Sequence, residues 1–187
     1  MKYFEKHTEE TAPEASLPLI EKSKATFGRL PGLHAVMAEA PGLLEGYQVL
    51  HKLFLETSFD NEEKTVVWQT INVQNECHYC VPAHTGIAKM MQVDDAITDA
   101  LRNETTLPSA KLEALRTFTL KVVNQRGFLS DTDVKEFLAA GFTKRQILEV
   151  ILGYSQKIMS NYTNHIAQTP VDSAFEKFAW SKTDKAA

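Results

Sequence analysis

The sequence predicts an all-α fold, and three observations carry that prediction. Apolar residues recur at helical spacing of three and four along nearly the whole chain. No convincing run alternates apolar and polar residues as a strand would. Helix start and stop signals repeat, with capping-box pairs at Asp60/Glu63 and Thr143/Gln146 and closing glycines at 28, 127 and 141.

The elements follow in order. Residues 1–12 are polar and expected to be loosely ordered. "PEASLPLIEKSKATFG" predicts a first helix, interrupted by Pro18 and closed by Gly28. "LPGLHAVMAEAPGLLEGYQVLHKLFLETS" holds two helical pieces. One runs to about Glu39. The other starts with Pro41 in its first turn, where a missing amide proton costs nothing, and ends near Thr57. After the Asp60 cap, Val66, Val67, Thr70, Ile71 and Val73 define an inward face. "DDAITDALRN" predicts a short helix. "PSAKLEALRTFTLKVVNQRG" predicts a longer one with a stripe of Leu112, Leu115, Phe118, Val122 and Val123. "SDTDVKEFLAAG" is capped by Ser130 or Asp131. The segment from Thr143 to Gln168 predicts a long helix whose apolar stripe is Ile147, Ile151, Tyr154, Ile158, Tyr162 and His165. On that stripe His165 reads first as a core histidine, and more sharply as a pocket residue beside Asn161 and Asn164. "VDSAFEKFAW" predicts a last short helix, and 181–187 should fray. With no low-complexity linker and no fixed-period repeat, one domain spans 1–187.

Composition narrows the function classes. The chain has 187 residues, 43% hydrophobic and 24% charged, enough to bury roughly 70% of its unfolded surface. Its formal net charge is −4, and Lys and Arg are scattered, which argues against a nucleic-acid surface. No apolar run reaches the length of a membrane span. The polar start lacks the apolar core of a signal peptide, so a cytoplasmic protein is expected. Two cysteines do not make a secreted disulfide scaffold. In a reducing compartment a close pair is catalytic or metal-binding more often than structural.

Those two cysteines lie in "NECHYCVPAH", residues 75–84. Cys77 and Cys80 are three apart, and Cys80 and His84 are four apart. Pro82 has no amide proton and crowds the carbonyl four residues back, so a helix either begins near Cys80 or kinks there. The thiols then sit at a helix N-terminus, where free amides and the helix dipole favour a thiolate. A second thiol can resolve an oxidised first one, and a histidine one turn on can carry the proton. That chemistry needs no metal and no cofactor. Two other readings share the motif. A zinc site would use Cys77, Cys80 and His84, with a fourth ligand from His51, His34, His165 or a carboxylate. Two buried thiols with an unrelated surface histidine is the third.

"INVQNECHYCVPAH" resembles the signature of the AhpD-like alkylhydroperoxidase family, in the carboxymuconolactone decarboxylase superfamily. "FGRLPGLHAVMAEAPGLLEGYQVL" and "NYTNHIAQTPVDSAF" resemble the flanking segments of its peroxidase-related branch. The resemblance implies an AhpD-like helical domain assembled as a homo-oligomer, a trimer or hexamer, that reduces organic hydroperoxides. It implies that Cys80 attacks the peroxide, Cys77 resolves the product, and His84 relays protons. It further implies an external dithiol as reductant, a lipoyl protein in the best-known members, and a peroxiredoxin as a partner. One position departs from the pattern. Thr65 stands twelve residues before Cys77, where the relay glutamate is often found, with Glu62 and Glu63 as neighbouring substitutes whose first reading is a solvated helix start. Inside the CxxC, His78 precedes Tyr79, whereas some members carry a relay histidine second. A lactone decarboxylase and a non-catalytic redox sensor are the competing functions.

Overall fold

The structure is a computed structural model that describes residues 3–182. Among those residues every regular element is helical: α1 (Leu17–Phe27), α2 (Gly32–Met37), α3 (Pro41–Leu55), α4 (Asn61–Gln74), α5 (Cys80–Met90), α6 (Asp95–Arg102), α7 (Ala110–Asn124), α8 (Asp131–Ala139) and α9 (Lys144–Ala167), with 3-10 turns at Glu14–Ser16 and Ser173–Phe178. No described helix is long and apolar enough to cross a membrane.

The helix signals explain most boundaries. Asp60 caps α4, Ser130 caps α8 and Thr143 caps α9, each in a reciprocal capping box that satisfies two amides otherwise left bare. Pro41 opens α3 as expected. Pro18 does not interrupt its helix: α1 begins at Leu17, so the proline falls in the first turn, where its missing amide proton is harmless. The segment 171–180 forms a 3-10 turn in place of the expected helix.

α4 is the centre of the molecule, packed against α5, α6, α7 and α9. Every residue from Glu63 to Val73 is buried, not only the apolar face the periodicity picks out. A helix covered on all sides must pair its polar residues internally. One hydrophobic cluster joins Phe54, Trp68 and Ile71 to Leu115, Phe118 and Phe137. A second joins Leu33, Leu44 and Tyr47 to both cysteines. The predicted stripe of α7 points inward, with Leu112, Leu115, Phe118 and Val122 buried.

α9 corrects the sequence reading. Its buried face is Gln146, Glu149, Val150, Gly153, Gln156, Lys157, Ser160, Asn161, Asn164 and Ala167. Ile151 and Tyr162, expected in the core, are half exposed, and Leu148 and Ile166 more so. His165 is exposed and stacks on Tyr162. The physical reason is that α9 supplies polar partners to groups already buried on α3, α4 and α5. Gly153 lets it approach closely, since a Cβ there would lie 2.5 Å from Phe54. The leading segment is tied down at His7, whose amide donates to Ala35 O and whose ring bonds Thr11 and Glu39. Fraying expected beyond residue 182 lies outside the described residues.

Candidate active site

The α4–α5 connection places the cysteines. α4 ends in a Schellman motif, with Cys77 N–H donating to Asn72 O and Glu76 N–H to Val73 O. Glu76 takes the left-handed position, φ 54°, usually left to glycine. Three residues later Tyr79 takes the N-cap position of α5, and Cys80 is its first residue. Pro82 falls within the first turn, so it begins the helix and does not kink it. Cys80 N–H points at Cys77 Sγ, 3.2 Å away. Both thiols are free and buried.

A chain of amide side chains fixes this turn. Asn75 donates to Asn161, Asn161 to Asn72, and Asn72 to Gln69, at 2.9–3.0 Å. Gln69 reaches Val81 O and Thr85 Oγ1. Asn72 also reaches Cys80 O. Satisfied end to end, such a network holds one arrangement of the loop. The next amide along α9, Asn164, donates to Cys80 Sγ at 3.3 Å.

Cys80, His84 and Lys157 line one cavity of about 490 Å³. That is the size and character of a small-molecule pocket, since its wall is mainly apolar and aromatic. Thr26, Phe27, Met90 and Ala174 are the exposed lining residues and mark the mouth; Cys80 and Lys157 are almost fully buried and mark the depth. Rings run between them in contact: Phe27 on His34, His34 on Tyr47, Tyr47 on His51, His51 on Trp68, Trp68 on His84. Cys77 does not line the cavity and lies behind Cys80.

Hydrogen bonding sets the histidine tautomers. Trp68 Nε1 can only donate, and it donates to Gln156 Oε1 at 2.7 Å. The Gln156 amide nitrogen therefore donates to His51 Nδ1, leaving the His51 proton on Nε2. Lys157 Nζ lies 2.8 Å from His84 Nε2 and donates to it, which puts the His84 proton on Nδ1. That Nδ1 is buried with no partner among the described residues. Burial, then the neighbouring charge, keeps all three histidines neutral: His34 falls to about 4 beside His51, His51 to about 4 beside Lys157, and His84 falls well below its usual value.

The two thiols are driven apart. Burial pushes Cys80 up, but the Cys77 hydrogen bond, the Lys157 charge and hydrogen bonds from Asn164 and Asn161 outweigh it and hold Cys80 at about 6. Burial, the Cys80 hydrogen bond and the Cys80 charge push Cys77 up. The helix amide points at Cys77, yet the larger favourable set converges on Cys80. Cys80 is the thiolate, and Cys77 keeps the proton.

A carboxylate closes the pocket wall. Asp172 accepts from Gly32 N at 3.1 Å and from Tyr79 Oη at 2.9 Å, and Arg29 lies 3.7 Å from it. Tyr79 Oη in turn accepts from Leu33 N. The turn that follows packs Phe175 on α5 at Gly86, where a Cβ would lie 2.6 Å from the ring.

The predicted trio is therefore split in kind. Cys77 and Cys80 are brought together, and His84 shares the cavity with Cys80, its Nε2 taken by Lys157. Glu62 is exposed, while Glu63 completes the α4 cap and pairs with Lys111 at 2.6 Å. Neither lines the cavity. Thr65 bonds its own helix at Asn61 O. His78 points away, to Thr169 O. Among the described residues no group of three or more His, Cys, Asp or Glu is placed to hold a metal ion. Sequence reasoning missed Lys157 and named Asn164 only as a neighbour of His165; it missed Asp172 and named His51 only as a candidate metal ligand. Only the polar residues at helical spacing on α9 (Gln156, Lys157, Asn161 and Asn164) could have signalled the first two.

These features define an all-α fold with a dithiol at a helix start, and the comparison with solved structures gives that fold its relatives. The AhpD core of an uncharacterized peroxidase-related protein from Ralstonia eutropha JMP134 superposes with a TM-score of 0.81 at 17% identity, covering 92% of this chain and 93% of that one. An uncharacterized peroxidase-related protein from Silicibacter sp. TM1040 gives 0.77 at 15%, covering 92% of each. A cysteine-to-alanine variant of the debrominase Bmp8, in complex with 2,3,4-tribromopyrrole, gives 0.75 at 16%, covering 94% of each. The AhpD-like fold read from the cysteine motif is thus the observed fold. No protein-family model matches the sequence, and the comparison with curated proteins found no match.

Proposed function

We propose that the chain is a dithiol-dependent peroxidase that reduces organic hydroperoxides. The observation that carries this reading is Cys80: the first residue of α5, held as a thiolate in the depth of an apolar cavity, with Cys77 directly behind it. The thiolate attacks the outer peroxide oxygen, ROH leaves with one proton, and Cys80 becomes a sulfenic acid. The Cys77 thiol condenses with it, giving a disulfide and water. An external dithiol, of lipoyl type, reduces the disulfide again, and a peroxiredoxin is a candidate for the partner that shares this reductant. In this reading His84, which lines the same cavity and carries an unpartnered Nδ1 proton, serves the leaving oxygen. The cavity wall favours bulky apolar hydroperoxides over hydrogen peroxide.

Assembly as a trimer or hexamer in a reducing compartment belongs to the same reading. The outward apolar residues of α9, Leu148, Ile151, Tyr162 and Ile166, support it.

The test is consumption of tert-butyl and cumene hydroperoxide with dihydrolipoamide as reductant. Cys80→Ser should abolish turnover. Cys77→Ser should stop after one turnover with a dimedone-reactive sulfenic acid. Turnover that survives Cys80→Ser refutes the assignment.

A second reading is reductive debromination, favoured by the likeness to a debrominase and by the aromatic wall. There the Cys80 thiolate takes the bromine, the Cys77 proton goes to the carbon, and the products are the ring with C–H in place of C–Br, bromide and the disulfide. Bromide release from a bromopyrrole under the same reductant separates the two. A disulfide that cycles with no turnover on either substrate would leave a redox sensor.

A further inference from the structure

We propose that Lys157 is the counter-charge that holds Cys80 as a thiolate and, through His84, the proton reserve for the leaving group. The inference rests on the dithiol reading above.

Lys157 lies on the inward face of α9 with 1% of its surface exposed. An ammonium group in such a place persists only beside an opposite charge; otherwise it gives up its proton. Among the described residues no carboxylate pairs with it. Its one hydrogen-bond acceptor is a neutral imidazole, His84 Nε2. The titratable groups around it are Tyr47 and His51 on α3, Cys80 and His84 on α5, and Cys77 in the turn that precedes α5. The histidines are uncharged, and burial holds Tyr47 protonated. The anion left to face Lys157 is the Cys80 thiolate, and the coupling is mutual. Burial lowers Lys157, whereas the Cys80 and Cys77 charges raise it.

Oxidation removes that anion. Once Cys80 is a sulfenic acid or a disulfide, burial alone acts on Lys157 and favours the neutral amine. The same step leaves an alkoxide that needs a proton. The geometry offers one path. His84 gives its unpartnered Nδ1 proton to the leaving oxygen and takes a proton from Lys157 at Nε2. The step balances: Cys80 thiolate, ROOH and Lys157 ammonium give Cys80 sulfenic acid, ROH and Lys157 amine. Condensation with Cys77 then releases water. When the external dithiol reduces the disulfide, one of its protons goes to Cys77; the other enters at His84 Nδ1, and the Nε2 proton returns to Lys157.

Three measurements test this. In Lys157→Met, iodoacetamide labelling of Cys80 at neutral pH should fall about tenfold or more, as its thiol returns towards the ordinary range. Lys157→Arg keeps a charge but cannot release a proton. It should retain the low thiol midpoint while hydroperoxide turnover falls at least about tenfold. Nitrogen-15 NMR of the Lys157 Nζ should show a lower titration midpoint in diamide-oxidised protein than in reduced protein. An unchanged Cys80 titration in Lys157→Met, or one Lys157 midpoint in both redox states, overturns the proposal. Wild-type protein that turns over no hydroperoxide sinks the peroxidase reading instead. The labelling and NMR measurements still decide the pairing in that case.

Discussion

Asp172 offers a quantitative test of how the cavity is closed. Its carboxylate takes Gly32 N–H and Tyr79 O–H, with Arg29 nearby, and its side chain is 8% exposed. Asp172→Ala leaves the buried Tyr79 hydroxyl and the Gly32 amide without their acceptor. A hydrogen bond to a charged group contributes about 1.5–3 kcal/mol. Two such bonds set an upper bound of about 6 kcal/mol; local rearrangement and entering water bring the expected loss to about 3 kcal/mol. For a chain of this size that lowers Tm by about 6–12 °C. Asp172→Asn keeps an acceptor and loses only the charge, so it should cost about half as much. Urea unfolding followed by tryptophan fluorescence gives the stability, and amide hydrogen exchange gives its location. Protection should fall over residues 172–180 and around Gly32, with α7 and α8 unaffected. A loss below about 0.5 kcal/mol in Asp172→Ala would show that the carboxylate does not hold this wall.

Three further outcomes are expected. Labelling of Cys80 should be flat above neutral pH and fall as pH drops through about 6. Its midpoint is depressed, so the thiolate exists above that value and is lost below it. Ten thiolates stand for each thiol one unit above the midpoint and one for ten a unit below, so pH 5 should be roughly tenfold slower than pH 7; mass spectrometry that finds Cys77 labelled faster contradicts the assignment of the two thiols. Glu76→Gly should stabilise the fold by about 1 kcal/mol in chemical denaturation, because the left-handed turn no longer carries a Cβ. Ile151→Glu with Ile166→Glu should convert an oligomer to monomer by light scattering while the circular dichroism stays unchanged; a wild-type monomer removes the assembly from the reading.

The helical class, the caps and the cysteine turn were legible in the sequence because each rests on local chemistry. Asp60 with Glu63 and Thr143 with Gln146 are reciprocal pairs three residues apart, and Pro82 limits where α5 can begin. The two thiols and His84 were legible for the same reason. What spacing could not reveal is long-range pairing. Lys157 is 73 residues from His84 and Asn164 is 84 from Cys80, and nothing local ties them. Periodicity also misread α9, because it assumes that apolar residues face inward. That assumption fails where a buried helix such as α4 presents Trp68 and Asn72 that need hydrogen-bond partners.

α9 therefore inverts the usual tolerance map. On most helices, swapping an inward residue for leucine is mild and placing glutamate there is ruinous. Here the inward Asn161 and Gln156 have no apolar substitute that would still serve Asn72 and Trp68, whereas the outward Leu148 and Ile166 are mostly exposed. In a deep mutational scan, hydrophobicity would predict the wrong sign at these four positions. Residues that look like surface would be rigidly fixed, and residues that look like core would vary freely in any readout of folding alone.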